Sequence, residues 1–150
     1  MTATINDIRS AIEQRIAAEM AKEPAYPVAY QNAPLAPPNN APWLQVFIRF
    51  GDNNYATLIE PGPGYNRQTG TLVVNVFTPV GVGAGANFTI AQRLLRLFDR
   101  AKFANIIFDP ASGPQQVLPG FFESGVSASG ALAASYFQTQ FTATFDAYLQ

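Results

Sequence analysis

The sequence contains no cysteine and no histidine. The absence of cysteine excludes a disulfide framework and a thiol nucleophile. The absence of histidine removes the commonest metal ligand and the only side chain that titrates near neutral pH without perturbation. The ten carboxylates are spread along the chain, and no pair has a spacing that suggests shared acid–base work. We therefore expect no catalytic residue, no cofactor and no metal site, and we predict that the protein is not an enzyme.

Charge is also scarce. Only 13% of the residues are charged, about half of the ~25% that is usual in soluble domains. The net charge is −1, so no global field draws the chain onto nucleic acid. No window approaches the ~20 apolar residues of a membrane span, and acids stand where a secretory signal would be basic. We expect no membrane partner, and an exterior covered in part by other subunits, because interface cores are depleted in charge.

The remaining composition predicts one folded domain over residues 1–150. Apolar residues make up 48% of the chain, and twelve phenylalanines supply large core side chains. Residues 24–42 carry six prolines, which cannot donate the hydrogen bonds of a central strand. This proline-rich arm, with a short edge strand at Val28 to Tyr30, is either a linker on its own surface or an arm on a neighbouring subunit.

Two helices follow from apolar residues at three- and four-residue spacing. The first covers residues 4–22, with Thr4 and Asp7 as a variant of the capping box. The second covers about 88–102, with its apolar stripe formed by Ile90, Leu94, Leu97, Phe98 and Ala101.

The predicted strands alternate in hydrophobicity with a period of two. The longest alternation spans residues 136–149, which is typical of an antiparallel sheet with one solvated face. Further strands are predicted at WLQVFIRF (43–50), YATLI (55–59), TLVVNVFT (71–78) and NIIF (105–108), with a weak one in VLPGFFESGVS (117–127). GDNN is expected to form a turn, and EPGPGYNRQTG (60–70) a long loop. The prediction is an α+β fold with a mixed, mainly antiparallel sheet flanked by two helices, in the order α-β-β-β-α-β-β.

The glycine-rich stretch GVGAGA can be fitted to the dinucleotide fingerprint through Gly81, Gly83 and Ala86, with Asp109 as the distant acid. Three residues separate the strand from the first glycine, and only 41 residues follow Asp109. The strands upstream are joined by hairpin-like loops and not by crossover helices. We interpret the loop as a turn without a nucleotide.

Arg93, Arg96 and Arg100 form a basic stripe predicted for the outer face of the second helix. A solvated helix face, partly compensated by Asp99, is the simplest interpretation. Pairing with acids of another subunit and contact with DNA phosphates are the alternatives.

Two blocks of the chain resemble a known family. AYQNAPLAPPNNAPWLQVFIRF and YNRQTGTLVVNVFTPVGVGAGANFTIAQRLLRLF are similar to the ordered blocks of small bacteriophage tail-terminator, or tail-completion, proteins. With the opening helix and the terminal strand, the resemblance covers nearly the whole chain. The stretch FFESGVSASGALAASYF departs from the pattern.

The resemblance implies a structural virion protein at the neck of a long-tailed phage, assembled in the host cytoplasm. Such proteins form a six-membered ring that caps the tail tube, ends its polymerisation and joins it to the head-side connector. DNA would pass through the lumen without sequence-specific binding. We expect residues 53–70 and the arm to make subunit or tube contacts, and with the arginines the candidate contact residues are Leu35, Tyr55, Tyr65, Asn66, Arg67, Arg93, Arg96 and Arg100. The rival hypotheses are a head-closure or connector protein and a small-ligand-binding α+β domain.

Overall fold

The computed structural model of the chain describes residues 4–33, 35, 38, 40–55, 66–81, 83–117 and 136–149. The α+β prediction is confirmed, with two helices and a mainly antiparallel sheet in the described residues. The elements in chain order are α1 (Ile5–Met20), β1 (Val28–Ala29), β2 (Trp43–Tyr55), β3 (Asn66–Pro79), α2 (Gly85–Phe98), β4 (Lys102–Phe103), β5 (Ile106–Phe108), β6 (Ser112–Gln116) and β7 (Tyr136–Leu149).

The sheet has the strand order β1-β2-β3-β7-β5-β4, and β6 also pairs with β7. Among the strands that the structure describes, only the β1–β2 pair is parallel. The three long strands β2, β3 and β7 lie side by side, so that Val46, Val74 and Phe141 occupy one row. These three strands form the centre of the sheet.

Both helices pack on the same face of the sheet. The four-residue spacing of Ile8, Ile12, Ile16 and Met20 turns one stripe of α1 toward the core. The alternation in β7 turns Phe141, Ala143, Phe145, Ala147 and Leu149 toward the helices. A fully buried aliphatic or aromatic side chain of this kind contributes about 1.5–3 kcal/mol. The other sheet face therefore carries no helix within the described residues.

The N-terminus of α1 is capped as the sequence predicts. The Asp7 amide donates to Thr4 Oγ1 at 3.2 Å, and the Thr4 amide donates to the Asp7 carboxylate at 2.7 Å. This capping box is confirmed. The Thr4 hydroxyl also donates to the Asp7 carboxylate, at 2.9 Å. The amide and the hydroxyl of Thr4 together lower the pKa of Asp7, because both donate to its ionised carboxylate.

The prediction of a turn at GDNN is wrong. Residues 51–54 continue β2, and β3 begins at Asn66 rather than at residue 71, so NRQTG is strand and not loop. A β-bulge between Phe50 and Asn53 accommodates the turn-forming residues within the strand. Their local preference is overridden by pairing with β3, which itself pairs with β7 along its whole length.

The predicted bounds of α2 and the number of strands also need correction. The helix begins three residues earlier than predicted and ends at Phe98, where Asp99 adopts an extended conformation. The two-residue strand β4 and the strand β6, which contains Gly113 and Pro114, were not predicted. Very short strands, and strands that contain glycine or proline, lack the alternation of apolar and polar residues by which a strand is predicted.

Several predictions lie outside the described residues. They are residues 56–59 of the YATLI strand, residues 60–65 of the long loop with Tyr65, and residues 118–127 of the weak strand.

Candidate functional site

Three of the predicted contact residues lie where β2 ends and β3 begins. Tyr55 pairs with Asn66, and Asn54 pairs with Arg67. Residues 51–55 are all exposed, and Tyr55 is exposed to 79%. Arg67 is exposed and Asn66 half-buried. We call residues 51–55 with 66–67 the hairpin end. Tyr65, the fourth residue expected there, lies outside the described residues.

A buried glutamine shapes the hairpin end. Gln68 is 3% exposed, and its Nε2 donates to the backbone oxygens of Gly51 and Thr69, each at 2.9 Å. Its Oε1 accepts from Asn53 Nδ2 at 3.0 Å. Because one side chain satisfies groups on both strands, the backbone of the bulge is held in one arrangement.

The described part of the proline-rich arm includes β1 and runs beside β2. Val28–Ala29 extend the sheet beside β2, which agrees with the predicted edge strand. The Ile48 amide donates to Gln31 Oε1 at 3.1 Å. At this sheet edge the Gln31 side chain therefore supplies the acceptor that the backbone of a further strand would otherwise provide. Leu35 packs against a small cluster of Trp43, Phe77 and Tyr136.

The three arginines do not form one stripe. Arg93 faces α1, where its Nε lies 2.9 Å from Glu19 Oε1 and its Nη2 donates to the Glu19 backbone oxygen at 2.8 Å. Arg96 is exposed on α2. Arg100 lies beyond the helix end and pairs with Asp99 at 3.1 Å. The expectation that all three lie on the outer face is therefore wrong, because the end of α1 occupies the side of α2 that carries Arg93.

The ion pair with Arg93 affects the pKa of Glu19. The pKa of Glu19 is lowered, first because Arg93 donates a hydrogen bond to its carboxylate and then because Lys22 lies nearby. Arg93 also donates to the backbone oxygens of Lys22 and Pro24. It thus ties the segment that follows α1 to α2.

The glycine-rich loop connects β3 to α2. Gly81 and Gly83 have φ angles of +92° and +82°, in the region that favours glycine. The N-cap residue Ala84 makes no side-chain capping bond. The interpretation of GVGAGA as a turn agrees with this geometry.

A buried asparagine fixes the start of α2 on the strand ends. Asn87 is fully buried, and its Nδ2 lies 3.0 Å from the Val76 oxygen, 3.1 Å from Thr78 Oγ1 and 3.2 Å from the Phe137 oxygen. Its Oδ1 accepts from the Thr139 hydroxyl. An asparagine in an otherwise apolar helix stripe is the sequence signal that would have found it. Gln68 has no comparable signal, because its partners depend on the bulge.

The helix-free face of the sheet combines amide side chains with the cluster of Trp43, Phe77 and Tyr136. Asn75 Nδ2 donates to Gln45 Oε1 at 3.0 Å, and Gln140 Nε2 donates to Asn75 Oδ1 at 2.9 Å, forming an amide ladder across three strands. A cleft of about 530 Å³ lies beside β1 and β2, lined in part by Leu35 and Trp43. Among the described residues no three metal-ligating side chains cluster, and no helix is long and apolar enough to cross a membrane.

Comparisons with known proteins give the family. A family model described as phage tail terminator protein matches residues 7–105, about two-thirds of the chain. The chain therefore belongs to the phage tail terminator family, a structural family of phage tails, which places it in the virion in contact with other tail components.

Known structures support the fold as well. One solved structure is 22% identical in sequence, with a TM-score of 0.63 over 93% of this chain and 92% of the other. At this identity the likeness shows the fold alone. No curated protein matches the chain significantly.

Proposed function

We propose that the protein forms a hexameric ring that caps the tail tube, ends its polymerisation and joins it to the head-side connector. The observation that carries this proposal is membership of the tail terminator family across most of the described α+β core. The ring sits at the neck of the virion, and its lumen passes DNA without sequence-specific contacts. The protein acts through contact surfaces and catalyses no reaction.

The hairpin end is the surface we assign to the tube. Its side chains are mostly exposed, and Gln68 holds the backbone of the bulge beside them, so little backbone freedom is lost on binding. Tyrosine and arginine are the residue types that dominate interface energetics, and Tyr55 and Arg67 provide one of each. Leu35 and the rest of the arm, with Arg96 and Arg100, are assigned to neighbouring subunits or the connector.

Growth of tail tubes in vitro tests this proposal directly. Purified tube protein is polymerised with increasing amounts of this chain, and tube lengths and ends are measured by electron microscopy. We expect shorter tubes, each bearing a ring at one end. Tubes that grow to the same length with bare ends would overturn the proposal, as would turnover of a substrate by the pure protein.

Variants at the hairpin end test the assignment of the tube surface. We expect Tyr55→Ala or Arg67→Glu to raise the concentration that stops growth tenfold or more, which corresponds to about 1.4 kcal/mol. Lys102→Glu is the matched control, because Lys102 is exposed on β4 at the other side of the sheet. An equal effect of all three substitutions would refute the assignment.

The closest rival function is that of a head-closure or connector protein. Both would occupy the neck, so tube growth separates them more clearly than position does. A connector leaves the length of tubes unchanged and binds only to tubes that another protein has already capped. Electron microscopy of labelled virions then locates the protein on one side of the ring or the other.

A further inference from the structure

One arginine of α1 has a fixed position but no acidic partner. Arg15 is half-buried, its Nε donates to the Leu97 backbone oxygen at 2.8 Å, and its guanidinium carbon lies 4.4 Å from the centre of the Phe103 ring. Within the described ranges, Arg15 forms no ion pair and neither Nη atom donates a hydrogen bond. The guanidinium is therefore held at its Nε side, while both Nη groups keep unused donors.

Arg15 lies in a cleft between α1 and the residues around the end of α2. The cleft has a volume of about 530 Å³, and its other lining residues include Ala11, Ala18, Leu97, Phe103 and Ala104. The small alanine side chains leave room for an incoming group beside the guanidinium. Because Arg15 is partly withdrawn from water among apolar groups, a partner of opposite charge would stabilise it. A carboxylate fits best, since it can accept from two donors of a planar guanidinium at once.

The same chain carries unpaired carboxylates on the other side of the sheet. Thr144 lies on the helix-free face, since Ala143 and Phe145 on either side of it point toward the helices. The Thr144 hydroxyl donates to Asp109 Oδ2 at 2.8 Å, which holds the exposed Asp109 carboxylate on this face. Asp146 lines the same shallow surface as Asp109. In the part of the chain that the structure describes, neither carboxylate forms an ion pair.

The described residues of this acidic surface include one base, Arg49. Arg49 is aligned with Thr71 and Thr144 across β2, β3 and β7. Two strand spacings, about 10 Å, therefore separate the backbones of Arg49 and Thr144. The Arg49 guanidinium carbon lies 5.3 Å from the centre of the Phe47 ring. Arg49 is thus directed to other contacts, and the side of the surface that carries Asp109 stays negative.

The two surfaces have opposite net charge. The described lining of the cleft contains two bases, Arg15 and Lys22, and one acid, Glu19. The acidic surface contains two acids and one base. The cleft belongs to the helix layer and the acidic surface to the helix-free face of the sheet. A contact that joins one surface to the other in a second copy is head to tail, which is the kind of contact that closes a ring.

We propose that Arg15 of one copy binds Asp109 of the neighbouring copy. This inference rests on the proposed ring and names a contact that holds it together. Asp109 supplies the carboxylate that Arg15 lacks, and Arg15 supplies the base that Asp109 lacks. Each copy uses its cleft toward one neighbour and its acidic surface toward the other, so the same pair of charges repeats around the ring. Complementary charges at each contact also set the orientation of neighbouring copies.

Charge reversal on each side tests this pair. In rings of Arg15→Glu alone, two carboxylates would face each other at every contact, and in rings of Asp109→Arg alone two guanidinium groups would do so. We expect each variant to raise the concentration at which rings form by about tenfold or more, the effect expected for a close pair of interfacial charges. Ring formation is measured by native mass spectrometry and by co-sedimentation with tail tubes.

A mixture of the two variants gives the sharper test. In an alternating ring, each introduced glutamate meets an introduced arginine, and each unaltered Arg15 meets an unaltered Asp109. We therefore expect mixed rings with equal numbers of the two variants, at concentrations where neither variant forms rings alone. The masses of the rings in native mass spectrometry report this composition. A variant that fails because it is unfolded cannot be rescued by mixing, so the mixture separates a lost contact from a lost fold.

Arg9→Glu is the matched control. Arg9 lies on the same helix and pairs with Glu13 within α1, but it does not line the cleft. The control variant has the same net charge as Arg15→Glu, and we expect it to form rings as readily as the unaltered chain does. Mixed with Asp109→Arg, it should form rings that exclude that variant. Mixed rings of equal composition in this control would overturn the inference, because net charge alone would then explain the association.

The outcomes separate this inference from the proposed function. Rings formed by Arg15→Glu and Asp109→Arg as readily as by the unaltered chain would overturn the inference and leave the proposed ring intact. So would two variants that form no rings alone and none when mixed. An unaltered chain that forms no ring even with tail tubes would overturn both.

Discussion

Replacing Asn87 with leucine should destabilise the protein strongly, although the two side chains have similar size. Asn87 is fully buried and joins α2 to β3 and β7 through four hydrogen-bond partners. Asn87→Leu removes this amide and leaves the strand carbonyls and hydroxyls at the site with fewer partners. Each buried group left without a hydrogen bond costs about 1–3 kcal/mol. Since some of these groups can find other partners, we expect a loss of about 3 kcal/mol.

Urea unfolding at fixed protein concentration measures this loss. Trp43 is the only tryptophan and stacks on Phe77 at 4.1 Å, so its fluorescence reports the fold near the site. With a slope of about 2 kcal/mol per molar urea, the midpoint should fall by about 1.5 M. Asn6→Leu is the matched control, because Asn6 is exposed in the first turn of α1. It should change stability by no more than about 0.5 kcal/mol.

Asn87→Asp should make the stability of the protein depend on pH. Burial and the surrounding carbonyl oxygens should raise the pKa of the new carboxyl, because they disfavour its ionised form. The folded state then binds the proton more tightly than the unfolded state. The stability of this variant relative to that of the unaltered protein should be greatest below about pH 4 and should fall as the pH rises toward the folded pKa. A stability difference from the unaltered protein that is small and independent of pH would refute the account of Asn87.

Four further predictions concern single residues. Arg93→Ala should cost about 1–2 kcal/mol, measured by urea unfolding, since Arg93 bonds Glu19 and the carbonyls at the end of α1. The lowered pKa of Glu19 means that its advantage over Glu19→Gln is present above about pH 4.5 and is lost as pH falls through the folded pKa; an advantage independent of pH would contradict this. Gly70→Ala should lower the melting temperature sharply, because the new Cβ would lie 2.3 Å from the Phe145 ring, whereas Gly85→Ala, with open space, should not. Raising the salt concentration should weaken capping of tubes through Arg67, because screening reduces the attraction between charged groups; capping that is independent of salt would contradict the assignment of Arg67 to the tube.

The sequence predicts those elements whose pattern follows from burying one face. The period of two in β7 and the four-residue spacing in α1 are both confirmed, because each reflects the same contact between helices and sheet. The α+β class follows from the order of these elements. The capping box at Thr4 is predictable for another reason, since it involves only residues three apart.

Predictions fail where a distant residue decides a local conformation. GDNN has the composition of a turn, but Gln68, 17 residues beyond Gly51, holds it as a bulged strand. Arg93 has the position of an outward-facing residue relative to the apolar stripe of α2. Its partner Glu19 is 74 residues away, and no local pattern reveals that pair.

The candidate site was predictable in part for the same reason. Tyr55, Asn66 and Arg67 were expected to make contacts, and strand pairing does bring them together. Whether they contact a subunit or the tube remains a prediction.

Ending a polymer requires a subunit whose surfaces differ in chemistry. If the same kind of surface served both neighbours in the ring and the tube below, added copies could continue the tube rather than close on themselves. In this chain the hairpin end presents Tyr55 and the charge of Arg67 beside a bulge that Gln68 fixes. A partner that leaves the charge of Arg67 without an opposite charge is disfavoured at this surface, so the surface assigned to the tube discriminates against a wrong partner through this charge.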